Sequence, residues 1–238
     1  MEAKERLIVA LDVDTIEEVE YLVNELKDEI GMFKVGLQLY TSMGNSVIEY
    51  IKEKGAKVFL DLKLHDIPNT VSETVRVLTK SGVDMMNVHS QGGYEMMNLA
   101  KETSLKTALE LGIKAPKLIA VTILTSLGDK EVEDIGYVKS AQAMVKHLGL
   151  LTDNAGLDGV VCSPLEAGLI KSVCSEGFIT VTPGVRPAGG DIGDQKRITT
   201  PGQAIKGGST YIVVGRPITK SKNVKEAARN IVLEMEQI

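Results

Sequence analysis

The run Asp61-Leu62-Lys63-Leu64-His65-Asp66 closes the apolar stretch Lys57-Val58-Phe59-Leu60 with two acids, an ammonium and an imidazole. In an extended chain successive side chains point to opposite faces, so Phe59, Asp61 and Lys63 share one face and Val58, Leu60, Leu62 and Leu64 the other. Apolar neighbours on both sides mark a strand covered on both faces, where an isolated charge is costly and has to be paired. Asp12 and Lys34 fall at or near the ends of two earlier apolar runs. Asp12, Lys34, Asp61, Lys63 and Asp66 therefore supply three carboxylates and two ammoniums, the acids keeping the lysines protonated against desolvation. Two chemistries fit. A fixed ammonium at Lys63 can stabilise negative charge developing on a substrate carbon and then deliver a proton, or the acids can ligate a divalent cation. A single Asp-x-Lys at a strand end is ordinarily solvated surface charge. Charges on three consecutive strands are another matter, because buried Lys and Asp are rare unless paired.

A second set of residues suits a phosphate. Val213-Val214-Gly215-Arg216-Pro217 breaks an apolar strand at a glycine, which exposes backbone N–H groups, and follows it with a bidentate cation. Pro183-Gly184-Val185-Arg186 follows the preceding apolar run, and the polar, glycine-rich passage from Pro183 to Gln195 has the placement of a lid. His65, His89 and His147 lack metal-ligand spacing. His147 reads as a helix C-terminal residue, and His89 as a pocket-lining or an interior histidine. Cys162 and Cys174 show neither CxxC spacing nor a histidine partner and read as reduced core residues, as Met85-Met86 and Met96-Met97 read as core packing. No GxGxxG after the first strand, Walker loop or Ser/His/Asp arrangement supports nicotinamide, nucleoside triphosphate or hydrolase chemistry, and no zinc cluster is visible.

These residues need elements to position them. Short apolar, β-branched runs recur at Leu7 to Leu11, Met32 to Leu37, Val58 to Leu62, Met85 to Val88, Leu118 to Ile123, Gly159 to Cys162, Ile179 to Thr182 and Tyr211 to Val214. Between them lie segments of helical periodicity, such as Ile16-Val19-Leu22-Val23-Leu26 after Thr15 and Val71-Val75-Leu78 after Asn69. Strands separated by helices pair in parallel. Eight such units in 238 residues predict an α/β fold of the (β/α)8 TIM-barrel type, a single catalytic domain over residues 1–238 with a closed eight-stranded parallel sheet. A doubly wound open sheet is the competitor. Closure is favoured because Asp12, Lys34 and the Asp61/Lys63 pair all fall near the C-terminal ends of consecutive strands, where barrel active sites form, and because Ile8, Ala10 and Asp12 share a face, as do Lys34, Gly36 and Gln38. In barrels the loops after strands seven and eight frequently hold phosphate, which brings Arg186 and Gly215-Arg216 to one place.

The composition agrees with a soluble globular chain: 43% hydrophobic, 25% charged, net charge −5. With no basic run, nucleic acid and membrane surfaces are poor partners, and a small molecule is the better one. The charged start Met1-Glu2-Ala3-Lys4-Glu5-Arg6 lacks the apolar core of a signal peptide, so a cytoplasmic location is expected.

Taken in order, Phe33-Lys34-Val35-Gly36, Asp61-x-Lys63-x-x-Asp66, Leu124-Thr125-Ser126, Pro183-Gly184-Val185-Arg186-Pro187 and Val214-Gly215-Arg216-Pro217 closely resemble orotidine 5′-phosphate decarboxylases of the bacterial type, nearly end to end. The resemblance implies release of CO2 from orotidine 5′-monophosphate to give UMP in pyrimidine biosynthesis, with no metal or organic cofactor, in a homodimeric barrel. By the same resemblance Lys63 is the proton donor, flanked by Asp61 and Asp66, with Lys34 bridging the acids and Asp12 holding the ribose. Asp66, Ile67 and Thr70 are then supplied to the neighbouring subunit's site. Thr125 and Ser126 meet the pyrimidine edge, and Arg186, Gln195, Gly215 and Arg216 close over the phosphate. The nearest rival is a sugar-phosphate lyase such as hexulose-phosphate synthase, which shares the strand-three motif but uses Mg2+ and an enediolate; Arg186, Gln195 and the Leu-Thr-Ser turn speak against it. A non-catalytic sensor of phosphorylated ligands is the rival from another class.

Overall fold

Strands buried on both faces require nearly continuous apolar sequence, and the eight strands have it: β1 (Leu7–Leu11), β2 (Met32–Gly36), β3 (Val58–Leu64), β4 (Met85–His89), β5 (Lys117–Val121), β6 (Gly159–Val161), β7 (Ile179–Thr182) and β8 (Tyr211–Val214). In the computed structural model, which describes residues 1–187 and 199–237, each strand pairs in parallel with its sequence neighbours. Pairing of Leu7 with Ile212 and Ile8 with Val213 joins β1 to β8 and closes the barrel. The fold is the expected (β/α)8 barrel. Arg6 reinforces the seam, its guanidinium donating to the carbonyls of Thr210 at 3.1 Å and Ser209 at 2.6 Å.

Alternation along the strands builds two separate apolar layers. Ile8, Ala10, Met32, Phe59, Met85, Ile119, Ile179, Val181, Tyr211 and Val213 fill the lumen. Leu7, Val9, Leu11, Phe33, Val35, Val58, Leu60, Met86 and Val88 face outward under the helices. Met85 and Met86 thus both pack in the interior, on opposite sides of one strand, and Met96 and Met97 are fully buried too. The apolar lumen is the floor on which the charged residues stand.

Several boundaries differ from the sequence reading for local reasons. Strand β2 stops at Gly36 and the chain turns at once into helix Leu37–Met43, so Gln38 is helical and its amide donates to Asp14 Oδ1 at 2.7 Å instead of sharing the lumen with Lys34. Helix Ile16–Leu26 begins as expected at Thr15, whose Oγ1 accepts from the Glu18 N–H. The helix after β3 begins one residue before Asn69: it is Pro68–Lys80, with proline in its first turn and Ile67 as an uncapped N-terminus. His147 is not at a helix end, because helix Ala141–Asn154 runs through Gly149. A Cβ at position 149 would lie 2.5 Å from Ile170 Cδ1, so the end of that side chain would have to shift to admit one. Among the described residues no helix is long and apolar enough to cross a membrane.

Candidate active site

Strand β3 carries the centre of the site. Asp61 lies opposite Gly36 of β2, and Lys34 opposite both Ala10 of β1 and Phe59 of β3, so Lys34 starts two residues below Asp12 and Asp61 and its long side chain reaches up to both at the C-terminal mouth. Lys34 Nζ stands 3.5 Å from Asp12 Oδ1 and 3.3 Å from Asp61 Oδ2, and Lys63 Nζ stands 2.7 Å from Asp61 Oδ1. The result is a linear chain of alternating charge, Asp12 to Lys34 to Asp61 to Lys63. Its members cancel. Asp61 is 9% exposed; burial pushes its carboxyl up, but the Lys34 and Lys63 ammoniums and the hydrogen bonds from Lys63 and Asn87 outweigh that, holding it below the ordinary carboxylate range.

Lys63 reaches the lumen by an unexpected backbone route. Leu60 pairs with Met86 but Leu64 pairs with Val88, so β3 takes four steps where β4 takes two, and within that bulge Lys63 has φ 54°. Simple alternation holds for Phe59 and Asp61 and gives way before Lys63. Gly36 has a related spatial role, since a Cβ there would sit 2.8 Å from Lys34 Nζ.

Two small cavities open on the chain of charges. One, of about 220 Å3, is lined by Lys34, Phe59, Asp61, Lys63, Val161, Val181, Pro183 and Val213. The other, of about 150 Å3, is lined by Asp12, Lys34, Arg186, Gly215 and Arg216 among others. Lys34, Pro183 and Val213 border both, so the charged and cationic lobes are contiguous. Arg186 is buried, its backbone N–H donating to the Thr199 carbonyl at 3.1 Å, while Arg216 is exposed at the start of the short helix Arg216–Thr219 that follows β8. Gly184 takes φ 80°, a left-handed turn that suits glycine, directly after β7.

Other expected residues are not gathered here. Asp66 and Ile67 stand exposed between β3 and helix Pro68–Lys80, and Thr70 stands exposed in the first turn of that helix; Asp66 Oδ1 accepts from the Ile67 N–H at 2.6 Å, and among the described residues none of the three hydrogen-bonds or ion-pairs with the charge chain. Thr125, half-buried, and Ser126, exposed, form the turn after β5 and line neither cavity. Gln195 and most of the expected lid lie outside the described residues.

A larger cavity of about 410 Å3 lies at the opposite, N-terminal mouth, where Glu5 and Asp84 are already tied to Lys57 at 3.0 Å and Lys52 at 2.7 Å. It shares no residue with the ion-pair chain. His89 is half-buried beside His65, ring centroids 5.5 Å apart, and burial with the His65 and Lys63 charges, against Asp61, lowers its pKa. Both cysteines are free; burial pushes the Cys162 thiol far up and Cys174 up to about 11, so neither is a ready thiolate at neutral pH. Asn87 was not singled out by the sequence, yet its amide bonds both Asp61 and the Lys63 backbone. The available signal was a polar residue in lumen phase between Met85 and His89.

The whole defines a class: a (β/α)8 barrel with paired cavities at its C-terminal mouth and arginines following its last two strands. The chain belongs to the orotidine 5′-phosphate decarboxylase / HUMPS family, whose model matches residues 5–231. Orotidine 5′-phosphate decarboxylase of Moorella thermoacetica is 46% identical over 239 residues, spanning 100% of this chain and 95% of that one. The Syntrophomonas wolfei protein of the same name is also 46% identical, spanning 100% of both. Among solved structures, orotidine 5′-phosphate decarboxylase from Lactobacillus acidophilus superposes with a TM-score of 0.85 at 37% identity, covering 96% of this chain and 98% of that one.

Proposed function

We propose that this chain converts orotidine 5′-monophosphate to UMP and CO2 in pyrimidine biosynthesis, with Lys63 donating the proton that replaces the carboxylate at C6. One observation carries the reading: Lys63 is the open end of a compensated charge chain and borders a cavity contiguous with the Arg186/Arg216 lobe. When the C6–carboxylate bond breaks, its electron pair stays on C6 in the ring plane, where π delocalisation is poor. A preorganised ammonium stabilises that localised charge and then transfers its proton to the same carbon, leaving a neutral amine beside Asp61. No metal or organic cofactor enters these steps. Lys34 holds Asp61 and Asp12 in line, and Asp12 meets the ribose.

Arg186, Gln195, Gly215 and Arg216 grip the phosphate, far from the reacting bond, so that remote binding energy places C6 against Lys63. Thr125 and Ser126 address the pyrimidine edge. Asp66, Ile67 and Thr70 act in the site of a second copy; their exposure on the rim, with Ile67 67% exposed, favours a homodimer.

The deciding measurement is CO2 release from orotidine 5′-monophosphate by metal-stripped protein in excess EDTA. Undiminished release is expected. Activity that vanishes and returns with Mg2+ points to a sugar-phosphate lyase, and UMP binding without CO2 release points to a sensor. Lys63→Ala should lower kcat by at least ~10²-fold, the scale of a lost general acid, with UMP affinity within a few-fold of the parent; near-normal turnover refutes the assignment.

A further inference from the structure

Asn87 is 1% exposed and occupies the lumen-facing row of β4 between Met85 and His89. A buried primary amide must satisfy its oxygen and its N–H groups locally. Asn87 does so on both sides of one irregularity: Oδ1 accepts from the Lys63 backbone N–H at 2.8 Å, and Nδ2 donates to Asp61 Oδ1 at 2.7 Å. The irregularity is the β3 bulge, where pairing slips between Leu60 and Leu64. The Asn87 oxygen thus gives the Lys63 N–H a side-chain acceptor inside the irregular stretch of the ladder.

Lys63, at φ 54°, is the only non-glycine residue with positive φ among those described. That conformation is unfavourable for an L-residue and persists only where its surroundings over-determine it. The Asn87 donor also divides the Asp61 carboxylate: Oδ1 takes Lys63 Nζ and the amide, leaving Oδ2 for Lys34. We propose that Asn87 is a positioning residue of the decarboxylation, one amide fixing both the backbone that aims the proton donor and the carboxylate that orients its ammonium. The inference deepens the decarboxylase reading and rests on it.

Two near-isosteric variants test it. Asn87→Leu removes both hydrogen bonds; Asn87→Asp keeps an acceptor for the Lys63 N–H but sets a carboxylate against Asp61. The titratable groups facing position 87 are Asp61 and Lys63 on β3 and His89 on β4, with His65 behind His89. Asn87→Leu should lower kcat on the order of 10²-fold, as a displaced catalytic group does, with the Kd for UMP within about threefold of the parent. Asn87→Asp should lower kcat about tenfold at neutral pH and recover relative to the parent as pH falls, because two adjacent carboxyls share a proton and restore a donor to Asp61. A structural role alone would make the urea midpoint of Asn87→Asp recover in step with kcat, whereas positioning makes kcat recover at pH values where the midpoint of the variant is already level.

A parent that releases no CO2 overturns the decarboxylase reading and this inference with it. An active parent whose variants keep kcat within about threefold, or lose kcat and UMP affinity in parallel, overturns the positioning role alone. Where Asn87→Leu fails to fold, Asn87→Asp decides by the same measures.

Discussion

Gly36 faces the Lys34 ammonium across a gap that admits a Cβ only if the ammonium moves, a built Cβ coming within 2.8 Å of Nζ. Because the obstructed atom is the tip of a flexible chain, Gly36→Ala should fold normally and move the ammonium off its two carboxylates. The expected result is a kcat lower by about tenfold or more with a urea midpoint close to the parent's; an unchanged kcat shows that Lys34 need not sit where it does. Asp61 supplies the pH dependence. Its folded pKa lies below the ordinary value, which in an unfolded chain is about 3.9. The stability from its pairing is therefore complete above about pH 4 and lost as pH falls through the folded value. Asp61→Asn should cost about 2 kcal/mol at pH 7 by removing the carboxylate that Lys63 pairs with and leaving Lys34 only Asp12, and the difference from the parent should shrink below about pH 4 in urea titrations. A difference constant down to pH 2 contradicts the pairing.

At the scale of the element, the bulge in β3 separates backbone strain from side-chain chemistry. Glycine accepts positive φ without the Cβ clash that alanine suffers. Lys63→Gly should therefore be more stable than Lys63→Ala by about 1 kcal/mol, although neither retains the ammonium. The reverse order in chemical denaturation would place residue 63 in ordinary extended backbone. The bulge also marks where sequence stops being legible. Strands β1, β7 and β8 read off with the observed bounds, because twice-buried parallel strands are runs of Val, Ile and Leu with clear edges. Asp12, Lys34, Asp61 and Lys63 were legible as charges in apolar context. Period two cannot announce a left-handed lysine, since nothing in Leu62-Lys63-Leu64 favours one. It does place Asn87 in the lumen phase of β4, but the role of that amide depends on the pairing slip between β3 and β4, which period two does not announce. The end of β2 at Gly36 was obscured because Leu37 continues the apolar run into a helix with no linker.

For the whole molecule, the rim residues raise the question of partnership. Among the described residues, Asp66, Ile67 and Thr70 form no hydrogen bond or ion pair with the charge chain of their own barrel. If they complete a neighbour's site, inactive Lys63→Ala and Asp66→Ala subunits, mixed and allowed to exchange, should regain activity, since each heterodimer holds one doubly altered and one intact site. No recovery despite verified exchange argues that Asp66 serves its own barrel.

The self-cancelling row from Asp12 to Lys63 also governs how added electrolyte acts on the two stages of turnover. Mobile ions screen exposed charges beyond a Debye length of about 10 Å at 0.1 M, which reaches the solvent-facing Arg216 but finds little net field to weaken in a row whose charges already cancel around the buried Asp61. Raising KCl should therefore increase KM for the phosphorylated substrate while leaving kcat nearly level, so that capture answers to the medium and bond cleavage does not.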